Sequence, residues 1–220
     1  MYKNFLILFI SAAAGAAAVE PADLQLVLKG AKPGMNLQAF TAAHPDAKSE
    51  SGAPSTTPLG PEVRDASVEE SYERDPLFAL ACWASYGFRD GKLREMLVQW
   101  NGDRTTVAQL RESFLQLCLQ QEGTDFRREA MRANPNDKDS PLFPVLLWEK
   151  TDHVILASAA LDADGKENPR GTFTYAVFPA RDEAVVKMLV GKTLTADQLG
   201  AVFTGINLQS APAALEPATK

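Results

Sequence analysis

Imidazole and thiol chemistry in this chain rests on four side chains: His44, His153, Cys82 and Cys118. His44 stands at the end of a short helical pattern, just before Pro45, and His153 opens a strand after a turn. Both read as boundary residues rather than as bases or ligands. No G-x-S-x-G elbow, H-E-x-x-H pair or G-x-x-x-x-G-K-[ST] loop is present. A Ser-His-Asp triad can assemble from distant positions, but no residues single themselves out for one. Glu69-Glu70 and Asp182-Glu183 are adjacent in sequence, so their carboxylates point to different faces and read as solubilising charge. Residues 162–168 (DADGKEN) offer oxygen ligands and a glycine but lack the closing glutamate of an EF-hand loop; they read as a hydrophilic turn. No catalytic residue, metal ligand or cofactor site is therefore assigned.

The compartment decides what the thiols do. Lys3, the apolar residues 5–10 (FLILFI) and the small residues 11–18 (SAAAGAAA) form the pattern of a secretory signal peptide cleaved after Ala18. Glu20 and Pro21 close the apolar run well short of the roughly 20 residues that cross a bilayer. The expected mature chain is periplasmic or secreted, with no integral membrane segment. In an oxidising compartment Cys82 and Cys118 pair most simply as a structural disulfide. Two buried free thiols are the alternative, because burial alone also suits cysteine. The whole chain has 22 basic and 28 acidic residues, a net charge of −6, and loss of Lys3 makes it one unit more acidic. That balance is unsuited to nucleic acid, whose phosphates need a basic footprint. Arg127, Arg128 and Arg132, interleaved with Glu129, read as a solvated face among turn residues.

Stepping along the chain, residues 23–29 (DLQLVLK) alternate like a strand with Leu24, Leu26 and Leu28 on one side. A Gly- and Pro-containing turn and the N-cap Asn36 then lead into a short helix carrying Leu37 and Phe40. Residues 46–62 are rich in Ser, Thr, Pro and Gly and read as a loop, and residues 65–75 as weak helix or coil. Asp90-Gly91 marks a two-residue hairpin turn. A regular ladder from that turn sets Phe88 opposite Leu93, Ala84 opposite Leu97 and Trp83 opposite Val98. It leaves bulk on both faces, so either both sides are covered or a bulge shifts the register. Thr106 and Gln109 form a capping box for a helix bearing Val107, Leu110, Phe114, Leu117 and Cys118 and stopped by Gly123. Strands follow at 143–148, 153–160 and 172–178, then a helix at 182–189 and another capped by Thr195 with Gln198. The resulting expectation is an α+β fold: a mainly antiparallel sheet, made of a hairpin plus a three-strand meander, packed on one side by helices. Its organisation is a leader (1–18), an N-terminal strand and short helix (19–45), a flexible linker (46–80), a main α+β domain (81–205) and a disordered tail (206–220).

Several short segments carry a resemblance: PGMNLQAF at 33–40, YGFRDGKL at 86–93, FLQLCLQQEG at 114–123 and LLWEKTDHVIL at 146–156. Their order resembles that of the β-lactamase-inhibitor-protein-like domains of exported bacterial proteins, and the small lipoprotein of the outer-membrane assembly machine is similar to these. The resemblance implies a non-catalytic domain that recognises a protein partner in the cell envelope through its sheet and loops. The chain departs from the lipoprotein members in lacking an anchoring cysteine. No binding residue carries over, because the matching positions are scaffold positions. A small secreted hydrolase with a dispersed site is the alternative, and a purely structural envelope subunit a third. Trp83, Trp100 and Trp148 read as core in a half-buried sheet, and any of them found exposed becomes the first candidate for a partner contact.

Overall fold

The structure, a computed structural model, describes residues 23–50, 66–132, 137, 139–162, 167–180 and 189–208. The leader and cleavage site, the helix expected at 182–189 apart from Leu189, and the tail beyond residue 208 lie outside the described residues. So do most of the 46–62 loop and the centre of the 162–168 turn.

The expected α+β architecture is present. The elements are α1 (Gln25–Leu28), α2 (Leu37–Ala43), β1 (Lys48–Glu50), β2 (Ala66–Tyr72), β3 (Ala81–Arg89), β4 (Lys92–Asp103), α3 (Arg104–Glu122), β5 (Arg127–Arg132), β6 (Leu142–Glu149), β7 (His153–Leu161), β8 (Arg170–Pro179) and α4 (Ala196–Val202). The strands form one sheet in the order β1-β2-β3-β4-β8-β7-β6-β5, with antiparallel pairing throughout. Two four-strand meanders thus meet through their last strands, β4 and β8, and α3 links one to the other.

Four elements differ from the sequence reading. Residues 48–50, read as part of a loop, are strand β1, paired with β2. Residues 25–28 are a helical turn, not a strand. Asp23 accepts the Gln25 N–H at 2.9 Å and starts the turn, and Leu24, Val27 and Leu28 are buried together while Leu26 stays 44% exposed. Spacing of three and four, rather than two, is the period that counts here. Residues 66–72, read as weak helix or coil within a linker, are strand β2, paired along its whole length with β3. Arg127 to Arg132, read as turn residues, form strand β5 against β6.

The hairpin resolves its ambiguity with a bulge. Arg89 opposes Lys92 and Phe88 opposes Leu93, but Gly87 opposes Glu95, so Arg94 is the extra residue. Beyond it Ala84 faces Val98 and Trp83 faces Gln99, one position away from the regular ladder. The bulge lets Leu93 and the even-numbered Met96, Val98 and Trp100 share one side of β4, and all four are buried. Cys82, Ala84, Tyr86 and Phe88 join them from β3, and Phe173, Tyr175 and Val177 from β8.

Helix α3 lies on this side, across β7, β8 and β4. Asp103 is its N-cap, one turn earlier than expected, and accepts both the Thr106 N–H at 2.9 Å and the Thr106 hydroxyl at 2.6 Å. Phe114 stacks on Phe173 with centroids 4.6 Å apart, and Trp100 and Phe78 close the aromatic group. Buried Asp75 holds Phe78 and Leu80 in place by accepting the N–H groups of Leu77, Phe78 and Leu80 at 2.7–3.0 Å. At the far end the Tyr175 hydroxyl donates to Glu122 at 2.7 Å and the Trp148 indole to the Gly123 carbonyl at 2.8 Å. Helix α4 has the expected capping box: Gln198 N–H to Thr195 Oγ1 and Thr195 N–H to Gln198 Oε1.

Helix and sheet approach closely at Gly171, where a Cβ would lie 2.6 Å from Val107 Cβ. Gly171→Ala is expected to lower stability by about 1–3 kcal/mol through overpacking. A denaturant titration should show the midpoint moving down with an unchanged slope.

Candidate functional site

The one constellation of facing acid, base and phenol in the described core centres on Glu70, which the sequence reading assigned to surface charge. In β2 the core-facing positions are Val68, Glu70 and Tyr72, each opposite a core-facing residue of β3 (Tyr86, Ala84 and Cys82). The Glu70 carboxylate is therefore driven into the interior, its side chain only 3% exposed. Three groups converge on it. His44, at the C-terminal end of α2, places Nδ1 2.9 Å from Oε2. The Tyr72 hydroxyl donates to Oε2 at 3.2 Å, and Lys29, which ends α1 in a left-handed conformation, donates from Nζ to Oε1 at 3.1 Å.

The electrostatics follow from this arrangement. Burial pushes the Glu70 carboxyl up, but the hydrogen bonds and charges of His44 and Lys29 outweigh it and hold the group below its ordinary value. Burial pulls Lys29 down, while Tyr72 and Glu70 more than compensate and raise it. Since a carboxylate only accepts, His44 Nδ1 is the donor. Its ring stacks on Phe40 at 4.1 Å with planes 9° apart and meets the edge of Tyr86 at 5.3 Å. His44 Nε2 and Tyr86 Oη are sealed from solvent and have no hydrogen-bond partner among the described residues.

A Glu–His pair with a phenol nearby has the composition of an acid–base site. However, a general base must come within hydrogen-bond reach of the proton it removes, and the free nitrogen of His44 points into the core. The geometry makes the cluster a clamp that fastens α1 and α2 to β2. The boundary reading of His44 is thus correct for its place in the chain but misses its partner. His153 opens β7 after a turn, as its position in the sequence indicated, and is half-buried with Nδ1 2.7 Å from Asp152 Oδ1.

The disulfide is not formed. Cys82 and Cys118 are both free and both buried. Cys82 sits on β3 between Tyr72 and Trp100 in the ladder, in the field of Asp75 and Glu70. Cys118 lies on α3 over the other half of the sheet, in the field of Glu122. Burial pushes the Cys82 thiol up to about 12 and the Cys118 thiol well above its ordinary range, with the neighbouring carboxylates adding to both. Each behaves as a small apolar core residue.

The side of the sheet away from α3 is different in character at its β3–β4–β8 centre. The register aligns Ser71, Trp83, Gln99 and Thr174 in one row and Ala81, Asn101 and Thr172 in the next. Ser71, Ala81 and Asn101 are exposed, and Trp83, Gln99, Thr172 and Thr174 half-buried. Trp100 and Trp148, in contrast, are fully buried. The Thr172 hydroxyl donates to Asn101 Oδ1 at 2.9 Å, and Gln99 Nε2 approaches Thr174 Oγ1 at 3.5 Å. None of these residues is charged; on the same side Glu69 and Glu95 lie beyond one end and Asp103 and Arg170 beyond the other. Toward β5 this side becomes apolar, with Met131, Val145, Leu147 and Leu156 packed together and Leu189 against them.

No family model, curated protein or solved structure matches the chain. Among the described residues no helix is long and apolar enough to cross a membrane, and no group of three His, Cys, Asp or Glu is placed to hold a metal ion.

Two outcomes follow. Because the folded Glu70 carboxyl lies below its unfolded value near 4.5, its stabilisation is complete above that value and is lost as pH falls through the folded one. Glu70→Gln should lower stability at neutral pH by about 1–3 kcal/mol and flatten the decline that sets in as pH falls below about 5, as read by denaturant midpoints across pH. In a thiol titration Cys82 and Cys118 should stay unreactive in the folded protein and both react in denaturant. Reductant should leave the melting temperature unmoved.

Proposed function

We propose that the chain is an exported, non-catalytic binding domain of the cell envelope that engages its partner through the uncharged sheet strip around Trp83. The observation that carries this reading is the placement of the three tryptophans: Trp100 and Trp148 fill the core, whereas Trp83 is only half-buried, on the opposite side. An indole, large and rigid, is among the side chains enriched at the energetic centres of interfaces. The leader-like N-terminus and the resemblance to exported recognition domains support the same conclusion. The small-hydrolase alternative would draw on Glu70 and His44, and the sealed Nε2 argues against it.

A photo-crosslinking residue at Ser71, beside Trp83, should capture an envelope component. The same group at Gln120, exposed on α3, should not, and Trp83→Ala should abolish capture from position 71. Equal labelling from both positions, or ester or peptide turnover lost in His44→Ala, would overturn the reading.

A further inference from the structure

Resting on that reading, we infer that the Trp83 strip is a platform for a neutral glycan chain. The argument is one of charge and hydrogen-bond complementarity. The protein carries a net charge of −6, yet Ser71, Ala81, Trp83, Gln99, Asn101, Thr172 and Thr174 contribute none of it. An anionic ligand finds no cation on this strip and a cationic ligand no carboxylate. An apolar protein surface finds a single large apolar group, where interface cores gather several.

What the strip does offer is one indole, two amides and three hydroxyls. The negative face of an aromatic ring attracts the electron-poor C–H groups along the flat side of a pyranose, and amides and hydroxyls answer the donors and acceptors around its rim. The placement is regular. Adjacent strands bring Trp83, Gln99 and Thr174 about 4.8 Å apart across the sheet. Asn101 and Thr172 lie two residues along the strands, about 6.8 Å further on, a grid that extends beyond one sugar unit. The Thr172 hydroxyl occupies Asn101 Oδ1 and so presents the amide Nδ2 as donor. The longer Gln99–Thr174 contact, at 3.5 Å, is one that a sugar hydroxyl can replace.

The test is calorimetric titration of the full chain with cellohexaose, chitohexaose and maltohexaose, which differ in linkage and N-acetylation but are all uncharged. At least one should bind saturably, with a dissociation constant of about 10 µM to 1 mM. Trp83→Ala should weaken that binding tenfold or more, Trp83→Phe less, and Asn101→Ala severalfold. Melting curves verify that each variant is folded, and if Trp83→Ala is not, Gln99→Ala and Asn101→Ala decide. No saturable binding of any of the three, or unaltered affinity in folded strip variants, overturns the inference. Capture of a protein from position 71 that needs Trp83, without glycan binding, leaves the binding-domain reading standing and removes the glycan. Failure of both removes both.

Discussion

Where Arg94 is inserted opposite the Gly87–Phe88 step, the side-chain parity of β4 changes, and most of the molecule is arranged around that change. A strand sends alternate residues to opposite sides, so Leu93 and Trp100 could not face the same way without one extra residue between them. With it, a continuous apolar surface runs from the hairpin turn to the start of α3 and receives the aromatic group of Phe78, Phe114 and Phe173. The same shift sets Gln99 opposite Trp83 and Asn101 opposite Ala81, which gathers uncharged polar groups on the outer side. Core and candidate surface are two results of one constraint.

The Glu70 cluster imposes a second constraint of another kind. A carboxylate in an apolar interior is costly unless it is fully hydrogen-bonded, and removing one partner of a buried pair leaves the other uncompensated. Glu70 meets this with Nδ1 of His44, Nζ of Lys29 and the hydroxyl of Tyr72, drawn from three elements. The helical N-terminal segment is thereby fixed in one orientation against β2 by directional bonds as well as by Phe40 and Leu24. Such a cluster selects a single arrangement of α1 and α2, since a rotated helix would leave the charge bare.

The parts legible in the sequence are those whose signals are local. Asn36 and Thr195 cap the helices they were expected to cap, Asp90-Gly91 turns the hairpin, and the apolar runs of β6, β7 and β8 stand within a residue or two of their expected limits. Illegible were elements whose reason lies far away. β2 looks unlike a strand because its central inward residue is a glutamate, and the groups that make this tolerable are 26 and 41 residues distant. The leucines of α1 fit a period of two as well as one of 3.6, and only the packed structure decides between them. The cysteines share an apolar character that burial explains without a bond. As for the candidate surface, Trp83 gave a sign of aromatic content, but its side of the sheet depended on a bulge foreseen only as one of two possibilities.

The joining of the two meanders at β4 and β8 leaves β1 and β5 as the outermost strands, where unpaired amides could recruit a foreign strand and seed aggregation. β1 is only three residues long, too little ladder for stable extension. β5 is longer, but Leu189 bridges to Met131 on its open flank and the Val190 N–H donates to the Ala130 carbonyl at 2.9 Å, while Arg127, Arg128 and Arg132 add charge along the strand. Both rims are thus closed to lateral growth, and a sheet of eight strands can persist as a discrete unit rather than as a template.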